Sequence, residues 1–126
     1  MYKKKIIDNS PKPISEKSAY VKMAKYCSYQ DRCEFEIMGQ LNKYILSNNE
    51  KLRIIEKLIE EKFLDEKRFV CSYVRGKFTY KKWGRVKIRQ HLKMKNIDDA
   101  TIRLGFKEID EAAYRTLIYS LFDKKD

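Results

Sequence analysis

The residues best suited to a defined chemistry form one basic segment, from Arg75 to Lys95. These 21 residues include nine Lys or Arg and no Asp or Glu, whereas the whole 126-residue chain has a formal net charge of +11. A concentrated positive surface attracts polyanions, and contact with nucleic-acid phosphates is its commonest use. The basic segment therefore predicts a partner that is nucleic acid or a protein assembled on it.

Four of these cations are expected to form a stripe along one helix. Lys82, Arg85, Arg89 and Lys93 are separated by three, four and four residues, which places them on one helical face. Like charges at these spacings repel each other, so a stripe without an acid favours an anionic partner. A solvated basic face is the alternative. The predicted binding residues are Arg75, Lys77, Tyr80, Lys81, Lys82, Arg85, Lys87, Arg89, Lys93 and Lys95.

The basic segment also contains three aromatic residues, Phe78, Tyr80 and Trp83. Such side chains can stack on the bases of a single strand, or they can pack in the joint between structural repeats. Packing is favoured for Trp83, and Tyr80 is expected to be the more exposed residue. Gly84 is expected to permit a close approach at the start of the next helix, because it has no Cβ.

The sequence does not assemble a catalytic or metal-binding site. The single histidine, His91, lies among positive residues without a carboxylate or cysteine nearby. The cysteines Cys27, Cys33 and Cys71 are odd in number and lack a C-x-x-C pair, which argues against disulfides and zinc and fits a reducing cytoplasm. No phosphate-binding glycine loop, nucleotide motif or Ser/His/Asp set is present. The sequence favours a protein that is not an enzyme and needs no cofactor.

Composition predicts an all-α fold. The chain has only four Gly and two Pro, and its long uninterrupted stretches are rich in Lys, Glu, Leu and Ile. No apolar run of about 18 residues indicates a membrane-spanning helix, and the basic start lacks the apolar region of a secretory signal. The predicted helices cover approximately residues 15–27, 31–44, 50–62, 65–76, 82–95, 98–105 and 110–122.

An internal repeat predicts the domain organisation. The apolar triplet at positions 33, 37 and 41 recurs at positions 84, 88 and 92, which lie 51 residues later. Repeats of this size stack into elongated molecules with one long functional surface. We expect a flexible N-terminal arm over residues 1–13, a first three-helix repeat over 14–64, a second over 65–109, and a single helix of a truncated third repeat over 110–126.

Three segments together resemble the RecX family of RecA regulators. Residues 60–69, EEKFLDEKRF, are similar to the family signature Gly/Lys-Tyr/Phe-Leu-Asp-Asp/Glu-x-Arg-Phe-Ala. Residues 83–97, WGRVKIRQHLKMKNI, resemble Gly-x-x-Arg/Lys-Ile-x-x-Glu-Leu-x-x-Lys-Gly-Ile, and residues 36–41, EIMGQL, resemble Glu-Leu-x-x-Lys-Leu. The order and spacing of the segments carry the resemblance, which runs from about residue 15 to 122. The chain departs from the usual Ser, Lys, Glu and Gly of the family at Cys33, Gln40, His91 and Asn96, respectively.

The resemblance implies a fold and a partner. The fold would be a series of tandem three-helix repeats in an elongated, curved arrangement. The protein would be a cytoplasmic monomer that binds the groove of the RecA–single-stranded DNA filament. There it would inhibit the ATPase and recombination activities of RecA, or destabilise the filament, and so modulate DNA repair and the SOS response. The basic segment would then be a surface for docking to a filament, with weak direct DNA binding at most.

Two other functions are compatible with the residues. A helix-turn-helix-like module could place residues 84–95 in the major groove of duplex DNA, or act on single strands, although its lysines suit phosphate contact better than base readout. An adaptor could use the basic face to bind an acidic protein.

Overall fold

The computed structural model describes residues 10–108, and nearly all of their regular structure is helical. The all-α prediction is confirmed. A sixth helix, α6, starts at residue 99 and continues to residue 108, where the described part ends. The other elements are β1 (Lys12–Pro13), α1 (Glu16–Tyr29), α2 (Glu34–Leu41), β2 (Tyr44–Ile45), α3 (Asn48–Glu60), α4 (Glu66–Thr79) and α5 (Arg85–Met94).

The helices recur as two sets of three. Helix α4 begins 50 residues after α1, at Glu66 against Glu16, and α5 begins 51 residues after α2, at Arg85 against Glu34. Helix α6 likewise begins 51 residues after α3. The repeated apolar triplet therefore reflects a repeated arrangement of helices.

The described chain divides into two compact units, each with its own apolar core. The first unit contains residues 10–30 and 34–64, and the second contains residues 31–33 and 65–108. The fully buried large side chains of the first core are Ile37, Leu41, Ile54 and Leu58. Those of the second core are Val70, Val74, Ile88, Leu92 and Ile102.

Residues 31–33 depart from the predicted first repeat. They fall within the range 14–64, yet Cys33 is fully buried in the second core. In addition, Asp31 accepts a 2.5 Å hydrogen bond from Arg68 Nε. Cys33 therefore does not share the apolar stripe of Ile37 and Leu41, because α2 begins only after it, at Glu34.

The predicted flexible arm is partly ordered by a short strand pair. Its residues 1–9 lie outside the described part. Lys12 and Pro13, at its end, form β1 and pair in parallel with Tyr44 and Ile45 of β2. The backbone N–H of Lys12 also donates to the carbonyl of Lys43. This pairing holds residues 12–13 against the first unit.

Side-chain caps begin four of the helices. The caps are residues whose oxygens accept hydrogen bonds from the first helical turn, at a typical stabilisation of about 1 kcal/mol each. Asp98 accepts a 2.7 Å bond from the Thr101 N–H, and this bond lowers the pKa of Asp98. The capping residues are Ser15, Ser47, Asp65 and Asp98.

Two helices end in left-handed residues. Lys62 after α3 and Asn96 after α5 have φ values of 64° and 59°. In each case the following residue donates its N–H to a carbonyl five positions back, on Leu58 or Leu92, which completes a Schellman motif. Asn tolerates this conformation better than most residues, so Asn96 suits the left-handed position after α5.

Replacing Lys62 with Gly is expected to stabilise the protein by about 0.5–1 kcal/mol, because Gly removes the left-handed strain of a side chain with a Cβ. Urea unfolding followed by circular dichroism measures the change. Asn96→Gly is the comparison, and its gain should be smaller because Asn already tolerates the conformation. An equal or larger gain at Asn96 would contradict this explanation.

Helix α6 does not end at Gly105, the last residue of the helix predicted over 98–105. The helix continues to residue 108, and Gly105 is buried within it. A Cβ built on Gly105 would lie 2.3 Å from Val70 Cγ1. Gly105 is therefore a point of close packing between α6 and α4, and not a helix terminus.

Candidate nucleic-acid interface

The candidate surface is formed by α4, the connector 80–84 and α5 in the second unit. Helix α4 continues to Thr79, past its predicted end near Gly76, and the Tyr80 N–H caps it by donating to the Gly76 carbonyl. In the connector, the Trp83 N–H donates to the carbonyl of Lys77 over 3.1 Å. Helix α5 then begins at Arg85, and its outward face carries basic side chains because the opposite face is buried.

All ten predicted binding residues lie in the described part of the second unit. Lys77 and Lys95 are half-buried, and the other eight are exposed. Ile88 and Leu92, which are fully buried, fix the inward face of α5. The geometry therefore brings the predicted residues to one unit and leaves most of them accessible to a partner.

Lys82 is not part of the helical stripe predicted for it. Helix α5 begins three residues later, and Lys82 has a left-handed backbone with φ of 58°. Arg85, Arg89 and Lys93 do lie on α5 at successive four-residue spacings. The stripe consequently has three members on the helix, and Lys82 belongs to the turn before it.

The stripe is also not free of acids. Asp99, at the start of α6, places its Oδ1 atom 3.0 Å from Lys93 Nζ and 3.9 Å from Arg89 Nη1. The hydrogen bond from Lys93 and the charges of Lys93 and Arg89 lower the pKa of Asp99. The sequence prediction does not include Asp99, because this residue lies outside the basic segment. Two consecutive acids directly after a run of cations nevertheless indicate a possible ion pair with those cations.

Trp83 packs against the core of the second unit, and two of the predicted binding lysines surround it. Its ring centroid is 4.9 Å from Lys77 Nζ and 4.4 Å from Lys87 Nζ. The His91 ring lies beside it, with 4.6 Å between centroids. These cation–π contacts order both lysines at the surface.

The other two aromatic residues are accessible. Tyr80 is 83% exposed, which confirms the expectation that it is the more exposed residue, and Phe78 is 48% exposed. Both can therefore contact a partner. Gly84, in contrast, does not permit a close approach: a Cβ there would meet no atom within 4 Å, and its φ of −79° suits any residue.

A cluster of three titratable side chains, Lys67, Cys71 and Glu108, connects α4 to α6. Cys71 Sγ donates a 3.0 Å hydrogen bond to Glu108 Oε2, and Lys67 Nζ lies 3.0 Å from Glu108 Oε1. Burial, followed by the bond to Glu108, raises the pKa of Cys71 to about 11. A reactive cysteine needs the opposite shift, so this thiol is unsuited to nucleophilic chemistry.

We expect Cys71 to react slowly with iodoacetamide, with a pH–rate midpoint near 11 instead of 9. Quantitative mass spectrometry of the Cys71 peptide measures the rate. Glu108→Gln should move the midpoint to lower pH, because a carboxylate that accepts from the thiol stabilises its neutral form. A midpoint that is unchanged in Glu108→Gln would attribute the shift to burial alone.

Neither a metal cluster nor a membrane helix is found in the part of the chain that the structure describes. No group of three or more His, Cys, Asp or Glu among residues 10–108 could hold a metal ion. Over the same residues, no helix is long and apolar enough to cross a membrane.

Comparison with known proteins identifies similar chains. Residues 65–104 match the model of the RecX second three-helix domain, a range that contains α4, the connector and α5. The chain is 30% identical to a protein whose crystal structure is described as regulatory protein RecX, with a TM-score of 0.68. That similarity covers 74% of this chain and 47% of the other.

Two curated relatives are named regulatory protein RecX. The protein from Streptococcus uberis is 33% identical over 85 residues, which are 68% of this chain and 33% of the relative. The protein from Lactobacillus johnsonii is 29% identical over 105 residues, which are 83% of this chain and 39% of the relative. The chain thus spans between a third and two fifths of these relatives.

Proposed function

Because this chain belongs to the RecX family, we propose that it is a non-catalytic regulator of RecA. It binds the groove of the RecA–single-stranded DNA filament and inhibits its ATPase and recombination activities, which modulates DNA repair. It acts as a monomer in the cytoplasm, where the filament forms. The binding residues are the ten predicted from the basic segment.

The observation that carries this proposal is the accessible basic surface of the second unit. Eight of its ten predicted binding residues are exposed, and they lie on three consecutive parts of the chain: α4, the connector and α5. A filament offers this surface two kinds of anion, the DNA phosphates and the acidic side chains of RecA. Cations arranged along a helix and its preceding turn suit such an extended target.

The chemistry of the titratable groups supports a non-catalytic role. The thiol of Cys71 has a raised pKa, and the His91 ring packs at an angle against Trp83 in a basic environment. The ion pairs of Asp99 and Glu108 use their carboxylates in contacts between helices. These groups stabilise the fold and its surface instead of forming a nucleophile with its base.

Titration of the chain against pre-formed RecA filaments tests the proposal. The DNA-dependent ATPase rate should fall as the chain approaches the concentration of RecA, and strand exchange should fall in parallel. An ATPase rate and strand exchange that stay constant over a wide range of concentrations would exclude this function. A chain denatured and held unfolded by carboxymethylation of its cysteines serves as the control for nonspecific effects of a basic polypeptide.

A second candidate function is direct DNA binding by a helix-turn-helix-like module. The exposed face of α5 favours it, since Arg85, Arg89 and Gln90 are accessible to base edges. Binding to a pool of random duplexes followed by selection distinguishes the two functions. Enrichment of one duplex sequence would support base readout by α5. Uniform weak binding to all duplexes would instead favour the RecA filament as the target.

A further inference from the structure

Asp99 gives the basic surface an anion of its own. Its carboxylate lies 3.0 Å from Lys93 Nζ and 3.9 Å from Arg89 Nη1, so it joins the start of α6 to two consecutive turns of α5. All three side chains are about half exposed, at 49% for each cation and 57% for Asp99. Solvent, and therefore a ligand, can reach the place that the carboxylate occupies.

We propose that Arg89 and Lys93 form a phosphate-binding site that Asp99 fills in the free protein, and that a backbone phosphate of single-stranded DNA displaces Asp99 on binding. This inference rests on the proposed function only in taking the strand of the filament as the source of the phosphate. Asp99 then competes with nucleic acid for the same two cations, and it lowers the affinity of the basic surface for nucleic acid.

The contact with Asp99 is weak enough to exchange. An exposed ion pair changes an equilibrium by about fivefold at most, because water screens the charges and both side chains lose freedom. The pKa of Asp99 is lowered, so its carboxylate is ionised at neutral pH and competes there with phosphate for Arg89 and Lys93. Arg103, one turn along α6, also adds to the positive field around Asp99.

The surroundings favour a nucleic-acid phosphate over the carboxylate of an acidic protein. Tyr80 and Phe78 belong to the same basic segment and remain exposed. A segment that combines exposed aromatic residues with cations matches the composition of surfaces that bind single strands, where bases stack and phosphates pair. A partner that offered only carboxylates would leave these rings without a role.

Asp99→Asn is the direct test, with fluorescently labelled oligothymidine as the probe. Fluorescence anisotropy should show affinity raised about twofold to fivefold at low salt, because the phosphate no longer has to displace the carboxylate from Arg89 and Lys93. The slope of log affinity against log salt should steepen by about 0.7 for each added phosphate contact. Glu60→Gln makes the same carboxylate-to-amide change at an exposed residue at the end of α3, and it should leave both the affinity and the salt slope unchanged.

A double-mutant cycle separates exchange from a general change in charge. If Asp99 acts through Lys93, the gain from Asp99→Asn should shrink severalfold in a Lys93→Gln background, since the competing pair is already absent. A gain of full size in that background would overturn the proposal. A gain on DNA-free RecA without one on oligothymidine would also overturn it, and would assign the site to an acidic protein surface.

The phosphate site and the proposed function can fail separately in these experiments. Asp99→Asn can leave DNA affinity unchanged while the chain still inhibits the RecA ATPase, in which case only the phosphate site is wrong. Conversely, Asp99→Asn can raise DNA affinity in a chain that never inhibits RecA, in which case the site stands and the filament proposal fails.

Discussion

Reversing two charges of α5, Arg85→Glu with Arg89→Glu, is expected to abolish inhibition of the RecA ATPase. Both side chains are exposed on the outward face of α5. A hydrogen bond to a charged group is typically worth about 1.5–3 kcal/mol, so loss of two contacts weakens binding by about 100-fold or more. Repulsion of the partner's anions by the new carboxylates adds to that loss. ATPase titration with pre-formed filaments measures the effect.

The control for this double variant is a matched reversal on α1. Lys22 and Lys25 are exposed there, so Lys22→Glu with Lys25→Glu changes the net charge equally. That control should retain inhibition if the basic segment, and not the total charge, carries binding. Circular dichroism should give native helical content for both variants. Full inhibition by the α5 variant would show that its basic stripe is only a solvated face.

Gly105→Ala is expected to lower the free energy of unfolding by up to about 2 kcal/mol, because overpacking typically costs about 1–3 kcal/mol and Ala returns about 1 kcal/mol of helix propensity. A Cβ on residue 105 would lie 2.3 Å from Val70 Cγ1. Val70 is fully buried, and a β-branched side chain has few alternative rotamers in a helix, so it cannot move aside. The strain exceeds the gain in helix propensity of about 1 kcal/mol that Ala brings.

Gly76→Ala provides the same substitution without the clash. Gly76 lies within α4, and a Cβ there would meet no atom within 4 Å. This variant should stabilise the protein by up to about 1 kcal/mol through helix propensity alone. Urea unfolding of both variants measures the difference between them. If both variants were stabilised equally, α6 and α4 would have to be less closely packed at Gly105 than the structure shows.

Local chemistry made much of the fold predictable from the sequence. Ser15, Asp65 and Asp98 cap helices because their short side chains reach the free N–H groups of the first turn, a relation confined to four residues. The apolar triplets recur with the helices because burial follows the helical period. The exposure of Tyr80 was also predictable from local sequence, because this residue lies in the connector between two helices that each have a buried face.

Contacts between elements were not predictable, because they depend on packing that no short window of sequence contains. Asp99 lies only six residues after Lys93, so the sequence indicates a nearby acid, but the pairing itself depends on how the turn after α5 directs the start of α6. Cys33 shares the spacing of its neighbours on α2 and yet packs in the other unit, since the helix begins one residue later. Gly105 resembles a helix terminator in sequence, whereas its actual role comes from the side chain of Val70.

The position of Trp83 also makes the candidate surface visible by spectroscopy. It is the only tryptophan of the chain, so all indole emission arises from the centre of the basic segment. Its ring touches the ammonium groups of Lys77 and Lys87, and a ligand that draws either lysine away changes the electric field across the indole. Emission wavelength and intensity should respond to that change. The unlabelled protein therefore carries its own optical reporter of binding, excited separately from its nine tyrosines.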